Sequence, residues 1–480
     1  MNGFFVNAAP DSGRGHLFLS RIQLFRLIYA FCSVLSVLVA TSSNAVAQQD
    51  FFSDLNVDIG EDIDQDSPFS VLGWLTQELS YGIEEPPAFF SRTDRQLSQV
   101  ETSLYAQLDW RATESLNFRF SGKVYHDAVY EIEDDTPFTT SERDLHRNRT
   151  EVRDFYLEKT FDNGLYLKAG HQIQAWGFAE YLRVTDLVNT EDQYTFGQQD
   201  LEDLRLQVPA LQLSYTWGNW VLDGVVTYHA GFNDMAPDGD EFDQFIGLRR
   251  DNWFVKRQDP ENDSELFFRA STRYADGDIQ LVAGEFNNNQ LTFDRIRIVD
   301  SDSPIFYFSQ ERMQALGVAA NRVTGPWLVF GELGLHGNSP VMPLESENFI
   351  RFDGWQERDR VLGVIGVEYS GLRDTLLSLE VDNIHTRGDV GDLGIKRNLT
   401  SFGARIYWSG WNERVQLVSV WNRLADDQGY LARLSVDYDW SDNWNFGLLW
   451  VDYSAERESI YSAFRNNDML QFNARFSFQN

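Results

Sequence analysis

The sequence has 480 residues, and its 73 acidic against 40 basic side chains give a formal net charge of −33. A charge this negative argues against nucleic acid as a partner, because the nucleic-acid backbone is itself negative. After the N-terminal region no stretch approaches 18 consecutive apolar residues, which excludes transmembrane helices from the rest of the chain.

The first 47 residues have the layout of an export signal. Three arginines precede the apolar run LIYAFCSVLSVLVA, and small residues occupy positions 45 and 47. The run is shorter than the roughly 20 residues that a spanning helix needs, so a signal cleaved after Ala47 is favoured over a membrane anchor. The only cysteine, Cys32, lies inside this segment, and the mature chain is therefore expected to hold no disulfide.

The segment after the predicted cleavage site, residues 48–68, is acidic and shows no periodicity. We expect a periplasmic arm or a short plug there. From residue 69 to residue 480 the chain becomes a series of runs in which apolar and polar residues alternate, the period of β-strands with one apolar face. This region is predicted to form a single transmembrane antiparallel β-barrel, an all-β fold.

Short and long connections alternate along the predicted barrel. Eight of the connections are tight turns rich in Gly, Asn and Asp, which tolerate the backbone angles of turns. Their sequences are RATES, FDNG, WGN, YADGD, VTGP, SGLRD, SGWNE and WSDNW. The eight hairpins, with a first strand at 69–82 and a last at 468–479, give eighteen strands, or sixteen if two weak runs are miscounted. Short periplasmic turns on one rim and long extracellular loops on the other are typical of outer-membrane barrels.

The parity of the side chains indicates which face of each strand meets lipid. In the last strand the apolar residues from Leu470 to Phe478 alternate with polar ones, so this stripe is expected to face lipid while the strand pairs with the first one. One strand is ambiguous, because Arg153 shares parity with Phe155, which a β-bulge would explain. The 36 Phe, 19 Tyr and 14 Trp fit aromatic girdles at the membrane interfaces.

The inward parity collects charges of both signs. The predicted pore-lining residues are Arg119, Lys123, Lys168, Arg269, Arg273, Arg405, Arg433, Arg475, Glu380, Asp382 and Asp437. Opposite charges either pair across the wall and brace the barrel, or they form a ladder that orients a charged solute. Arg405, Arg433 and Arg475 come from alternate strands and are expected at similar depth, a patch suited to a carboxylated or phosphorylated solute.

The long connection after residue 232 holds two charged clusters. Asp238, Asp240 and Asp243 are closely spaced carboxylates of the kind that bind calcium, although they lack the ligand spacing of a helix–loop–helix site. No other cofactor is predicted. The stretch LRRDNWFVKR, residues 248–257, is basic and aromatic, and it is interpreted as a solvated loop, a contact for lipopolysaccharide phosphates or a gate.

A predicted strand at 165–177 and the loop after it carry a motif. Its residues are Gly170, Gln172, Trp176, Gly177, Thr185, Asp186, Asn189 and Asp192. They resemble the G-[RH]-Q-x-x-x-W-G strand and T-D-x-x-N-P-x-D loop of a group of proteobacterial outer-membrane proteins, with Thr190 in the place of the proline. That group is similar in plan to the alginate-export family of eighteen-stranded channels, so the resemblance implies a barrel and a channel but no substrate. From the residues themselves we expect this loop, which returns through Arg205, to fold into the pore and narrow it.

The leading hypothesis is a porin or exporter in the Gram-negative outer membrane, which passes small or anionic solutes passively. Outer-membrane lipids, lipopolysaccharide and the barrel-insertion machinery are the other expected partners. A plugged structural or adhesive barrel that acts through its loops is one alternative. A barrel hydrolase is another, but it needs a nucleophile beside a histidine, and no histidine of this chain falls in a recognisable nucleophile motif. No enzymatic activity is therefore predicted.

Overall fold

A computed structural model of the chain describes residues 67–83, 97–132, 147–199, 204–228, 231–236, 240, 242–243, 245, 254–260, 262–298, 304–341, 355–391, 396–425, 429–454 and 464–479. The predicted export signal and almost all of the predicted acidic arm lie outside these residues. No helix within the described ranges is both long and apolar enough to cross a bilayer.

The described residues form strands and one short helix, α1 (Val129–Ile132). In chain order the strands are β1 (Phe69–Gly82), β2 (Leu97–Thr113), β3 (Leu116–Asp127), β4 (Asn148–Thr160), β5 (Leu165–Gln172), β6 (Asp192–Gln193), β7 (Val208–Trp217), β8 (Trp220–Tyr228), β9 (Asp234–Met235), β10 (Phe254–Arg257), β11 (Ser264–Tyr274), β12 (Gly277–Asn287), β13 (Thr292–Ile298), β14 (Pro304–Ser309), β15 (Arg312–Thr324), β16 (Trp327–Val341), β17 (Gln356–Leu372), β18 (Thr375–Thr386), β19 (Asn398–Gly410), β20 (Val415–Leu424), β21 (Tyr430–Ser441), β22 (Trp444–Ser454) and β23 (Met469–Gln479).

Eighteen of these strands form one closed antiparallel barrel, which confirms the larger of the two predicted strand numbers. Each barrel strand pairs with the next along the chain, and β23 closes the ring on β1 from Leu72↔Gln479 to Gly82↔Met469. The closing pair leaves no strand edge unpaired, as the interior of a bilayer requires. The last strand therefore pairs with the first, as its apolar stripe predicted.

The eight predicted tight turns are all present, and they join β2 to β3, β4 to β5, β7 to β8, β11 to β12, β15 to β16, β17 to β18, β19 to β20 and β21 to β22. The connections between these hairpins are longer in most cases. The barrel thus has a short-turn rim and a long-loop rim, which is the asymmetry that the sequence predicts.

The outward face of the barrel is apolar, as the parity predicts. Ile365 of β17 is 70% exposed, and Phe472 and Phe476 of β23 lie on the same outer surface. The ambiguous strand, β4, contains the expected irregularity, because its register against β3 shifts opposite Phe120 and Gly122. Phe155 consequently faces outward and is 63% exposed. The apolar exterior is a surface suited to lipid rather than to water.

Five short strands lie in the long connections rather than in the barrel wall. Inside the barrel, β6 pairs in parallel with β9 through Asp192 and Asp234. A separate sheet is built from β10, β14 and β13. Residues 254–257 of LRRDNWFVKR form β10 and are mostly exposed, while residues 248–253 lie outside the described residues. The interpretation of this stretch as a solvated loop, a lipopolysaccharide contact or a gate stays a prediction.

Candidate functional site

The connection between β5 and β7 folds into the barrel instead of projecting from the long-loop rim. We call its described part, residues 173–199, the inner loop. Trp176, Val188 and Asn189 are among its completely or almost completely buried residues. A buried connection is unusual, because every backbone N–H and C=O that it takes from water needs a protein partner. The barrel wall and the loop itself supply these partners.

The side chain of Asn189 sets the point at which the chain leaves the wall. Its Oδ1 accepts a hydrogen bond from the backbone N–H of Gln174 at 2.7 Å. Its Nδ2 donates to the carbonyl oxygens of Gln172 at 3.3 Å and Leu206 at 2.7 Å. The strand predicted at 165–177 is therefore shorter in the structure, because β5 ends at Gln172. Trp176 and Gly177, predicted at the end of that strand, belong to the inner loop.

Two carboxylates of the wall bind the backbone of the inner loop. Glu332 of β16 accepts hydrogen bonds from the backbone N–H groups of Phe178, of Ala179 at 2.9 Å and of Thr185 at 3.1 Å, and from the Thr185 hydroxyl at 2.7 Å. Glu380 of β18 accepts hydrogen bonds from the backbone N–H groups of Glu180 at 2.9 Å and of Tyr181 at 3.3 Å. Hydrogen bonds to a charged acceptor are stronger than neutral ones, so these two side chains anchor the loop firmly.

Arg405 of β19 completes this attachment, because its Nη1 donates to Oε1 of Glu180 at 2.8 Å and both side chains are buried. Asp382 of β18 is also buried and accepts a hydrogen bond from the Ser401 hydroxyl. Glu380, Asp382 and Arg405 thus face inward, as their parity predicts, but they are covered. They do not line the open part of the lumen, contrary to the expectation.

The loop is also braced internally by a buried cluster of charges. Asp186 accepts from Arg183 at 3.0 Å and from Arg205 at 3.0 Å, and Arg183 also contacts Glu191 at 3.2 Å. Burial alone would raise the pKa of Asp186, but the two guanidinium groups outweigh it and hold that pKa below its usual value. Asp186 and Arg205, both predicted in the constriction motif, therefore join the two ends of the connection.

Apolar packing fills the space between the inner loop and one side of the wall. The indole of Trp176 meets the ring of Phe267 of β11 edge-on, with centroids 6.3 Å apart. Gly403 of β19 lies directly beneath the Tyr181 ring, where an added Cβ would come within 2.2 Å of the ring. At these points the inner loop is therefore closely packed against the side of the wall from β11 to β19.

The opposite side of the lumen stays open. A cavity of about 210 Å³, which we call the passage, lies between the end of the inner loop and the wall formed by β1–β4 and β21–β23. Its charged lining residues are Lys123, Arg149, Arg153, Arg433 and Arg475, with Glu78, Glu101, Asp127, Asp192, Asp240 and Asp437. The passage therefore presents both signs of charge along one face of the barrel interior.

The cations of the passage are held beside aromatic rings. Arg149 lies 4.4 Å from the ring centroid of Tyr125 and also forms an ion pair with Glu151 at 2.8 Å. Lys123 lies 4.4 Å from the same ring, and Arg475 lies 5.7 Å from the ring of Trp74. Within the described part of the chain neither Lys123 nor Arg475 has an ion-pair partner. Both charges are therefore available to a solute, and the rings orient them without neutralising them.

The other predicted pore-lining cations have structural partners or lie at a rim. Arg119 pairs with Asp109 at 2.6 Å, and Arg269 pairs with Asp223 at 2.9 Å while lying over the Trp176 ring. Lys168 lies 4.0 Å from the ring centroid of a tyrosine, Tyr156. The Arg273 side chain is 91% exposed beside a tight turn. The expected patch of Arg405, Arg433 and Arg475 is divided, since only the last two line the passage.

Asp192 is the one residue of the predicted constriction motif that lines the passage. Burial raises its pKa to about 6, against the opposing effect of Arg149. Tyr194, Gln198 and Gln199 line the passage beside it and were not predicted. The anchoring role of Glu332 was not predicted either, although an acidic residue at an inward position of an otherwise apolar strand was a usable signal.

The predicted calcium ligands only partly fall in the described region. Asp238 lies outside it. Asp240 and Asp243 each accept a hydrogen bond at 2.8 Å from the backbone N–H two residues later, the bond of an Asx turn. In the described ranges no three His, Cys, Asp or Glu side chains come together in a group that could hold a metal ion. The calcium site therefore stays a prediction.

Comparisons with known proteins agree with this architecture. No curated protein matches the sequence. Among solved structures, OccAB3 of Acinetobacter baumannii is similar over 86% of this chain and 99% of its own, with 10% sequence identity and a TM-score of 0.51. The outer membrane protein OpdK of Pseudomonas aeruginosa is similar over 86% and 99%, with 10% identity and a TM-score of 0.49. At such identities the likeness to OccAB3 establishes the barrel fold alone.

Residues 89–478 match the model of the family described as "Protein of unknown function (DUF1302)". This match covers most of the chain, including almost the whole barrel, and the protein belongs to this family. The predicted resemblance to the alginate-export family is not tested by these matches and stays a prediction.

Proposed function

We propose that this member of the family is a passive outer-membrane channel whose solutes, small and polar or anionic, move along the passage. The observation that carries the proposal is the asymmetry of the lumen. The inner loop occupies much of the side of β11–β19 with apolar packing and buried ion pairs, whereas the side of β1–β4 and β21–β23 keeps a charged cavity of about 210 Å³. A plug that served only to seal the barrel would have no use for a cavity lined with charges of both signs.

The charges of the passage support anionic solutes in particular. Lys123 and Arg475 form no direct ion pair among the described residues, and each lies beside an aromatic ring. A guanidinium group offers two parallel N–H donors to a carboxylate or phosphate. The acidic residues Asp127 and Asp437 face the same space and keep the field from trapping an anion too tightly, a condition for release.

The outer-membrane location rests on the fold and on two sequence features. The barrel has no free edge and carries an apolar exterior. The predicted export signal at residues 1–47 and the aromatic end of the last strand, Phe478, fit export followed by insertion by the barrel-insertion machinery. The predicted contacts with lipids and lipopolysaccharide belong to the same proposal.

Single-channel conductance of the refolded mature protein in planar bilayers, with reversal potentials in a KCl gradient, tests the proposal. We expect steady conductance, and we expect Lys123→Gln combined with Arg475→Gln to lower the permeability of chloride relative to potassium. Arg273→Gln is the matched control, because that side chain lies exposed beside a turn. A correctly folded barrel that conducts no ions would refute the channel and favour a plugged structural barrel.

A further inference from the structure

We propose that a second cavity, which interrupts the packing of the inner loop against the wall and is separate from the passage, binds a small monocarboxylate with an apolar body. This cavity, the outer pocket, has a volume of about 120 Å³ and lies between the inner loop and the wall from β12 to β18. Residues that line it include Leu182, Phe286, Met313, His336 and Arg360, and none of its lining residues lines the passage. It adjoins the long-loop rim, since β12, β16 and β18 all end beside it at long connections.

Arg360 is the observation from which the proposal starts. It faces inward on β17, in register with His336 of β16 on one side and Thr386 of β18 on the other. Its Nε is shielded from solvent and has no hydrogen-bond partner. Within the described part of the chain its guanidinium group forms no ion pair. An isolated charge in such a position costs free energy, and proteins nearly always compensate it with an opposite charge.

Other inward-facing guanidinium groups of the barrel interior are compensated in this way, whereas that of Arg360, a half-buried residue, is not. Arg183 contacts Asp186 and Glu191, and Arg405 pairs with Glu180. The outer pocket has two acidic lining residues, Asp186 and Glu191. Both contact Arg183, and Asp186 also pairs with Arg205, so neither forms an ion pair with Arg360. Together with Arg205, which pairs with Asp186 from outside the lining, three guanidinium groups therefore face two carboxylates among the described residues around the pocket. A single negative charge from a ligand would balance the remaining positive charge, that of Arg360.

The rest of the lining indicates what carries that negative charge. Leu182, Leu187, Phe286, Leu362 and Ile384 give the pocket an apolar surface, which a hydrated inorganic anion would not use. The volume is about four times the ~30 Å³ that one water occupies in the liquid, enough for a body of a few carbons. A carboxylate fits the fork of the guanidinium group, and its single charge matches the excess better than a phosphate dianion does.

Binding to the outer pocket is independent of conduction through the passage, so it is tested without a conductance readout. The full-length mature barrel in lipid nanodiscs is titrated calorimetrically with hexanoate, with empty nanodiscs as the blank. The same titration with 1-hexanol removes the charge, and titration with acetate removes the apolar body. We expect saturable binding of hexanoate, and binding of the other two that is weaker by about tenfold or more.

Variants locate the site. Arg360→Gln is expected to weaken hexanoate binding by about tenfold or more, since it removes a charged hydrogen-bond donor, and Arg360→Lys is expected to retain part of the affinity. Arg433→Gln, which changes the passage, is expected to bind hexanoate like the wild type. Heat-modifiable migration on gels and an unchanged conductance verify that Arg360→Gln forms the same barrel.

Four outcomes would overturn the proposal. Equal binding of 1-hexanol would show an apolar pocket without anion recognition, and equal binding of acetate would show a simple anion site. Unchanged binding by a folded Arg360→Gln variant would exclude Arg360 as the recognising group. Loss of binding in Arg433→Gln alone would place the site in the passage.

Discussion

Asp192 lies where the inner loop meets the passage, and the charge of its carboxyl group changes between pH 7.5 and pH 5. It lies in β6, beside Asp234 of β9, and faces the passage close to Arg149. Because burial raises its pKa to about 6, it is ionised at pH 7.5 and mostly protonated at pH 5. Acidification through this range therefore removes one negative charge from the passage.

We predict that the chloride-to-potassium permeability ratio of the channel rises as the pH falls from 7.5 to 5, with a midpoint near 6. Asp192→Asn should start from a higher ratio at pH 7.5 and lose the part of the rise that has its midpoint near 6. Reversal potentials measured in a KCl gradient at several pH values provide the readout. A titration that persists unchanged in Asp192→Asn would assign the step to another group.

The sequence predicts which side chains point into the barrel, but it does not predict which of them the inner loop covers. The inward direction of Arg433, Arg475 and Asp437 follows from parity alone, because a strand places alternate side chains on opposite faces. The covering of Arg405 and Glu380 could not be read in this way. It depends on contacts with Glu180, which lies about two hundred residues earlier in the chain.

Among the structural elements, the strands and the inner loop show the same contrast between local and distant determinants. The tight turns are specified by their own Gly, Asn and Asp residues, so the hairpins and their order were predictable. The inner loop has no regular pattern, and its position is set by acceptors on β16 and β18. That it folds into the lumen was predicted, but the side of the lumen that it covers was not.

Removing the main anchor of the inner loop is expected to enlarge the open lumen. Glu332→Ala leaves three backbone N–H groups and the Thr185 hydroxyl without their acceptor, and each hydrogen bond to a charged group contributes about 1.5–3 kcal/mol. We predict a larger and noisier single-channel conductance than in the wild type.

Asp382→Asn is the matched control for Glu332→Ala, because Asp382 is also a buried carboxylate of the wall but bonds Ser401 rather than the inner loop. Its conductance should remain that of the wild type. If Glu332→Ala conducts like the wild type, the inner loop is held by its internal ion pairs and packing instead, and the anchoring role given to Glu332 is incorrect.

The molecule as a whole is a symmetric wall around an asymmetric interior. Eighteen strands alternate regularly around the ring, yet the inner loop packs against one side of the lumen and leaves a charged cavity on the other side. Periodicity predicts the wall because every strand must present an apolar face to lipid. It carries no information on how an interior segment divides the space that the wall encloses.

We place the path of the solute in the passage, between the inner loop and the strands β1–β4 and β21–β23. The accessibility of introduced cysteines to a reagent tests this path. The only cysteine, Cys32, lies in the predicted export signal, so the mature chain offers a background without thiols. Ser435→Cys introduces a thiol in the passage, and Ser378→Cys introduces one at a buried inward position of β18.

Both single-cysteine channels are treated with a charged, water-soluble methanethiosulfonate reagent while their conductance is recorded. We predict rapid modification and a reduced conductance for Ser435→Cys, and no change for Ser378→Cys. Rapid block of Ser378→Cys together with an inert Ser435→Cys would contradict this prediction, because ions would then pass on the side that the inner loop covers.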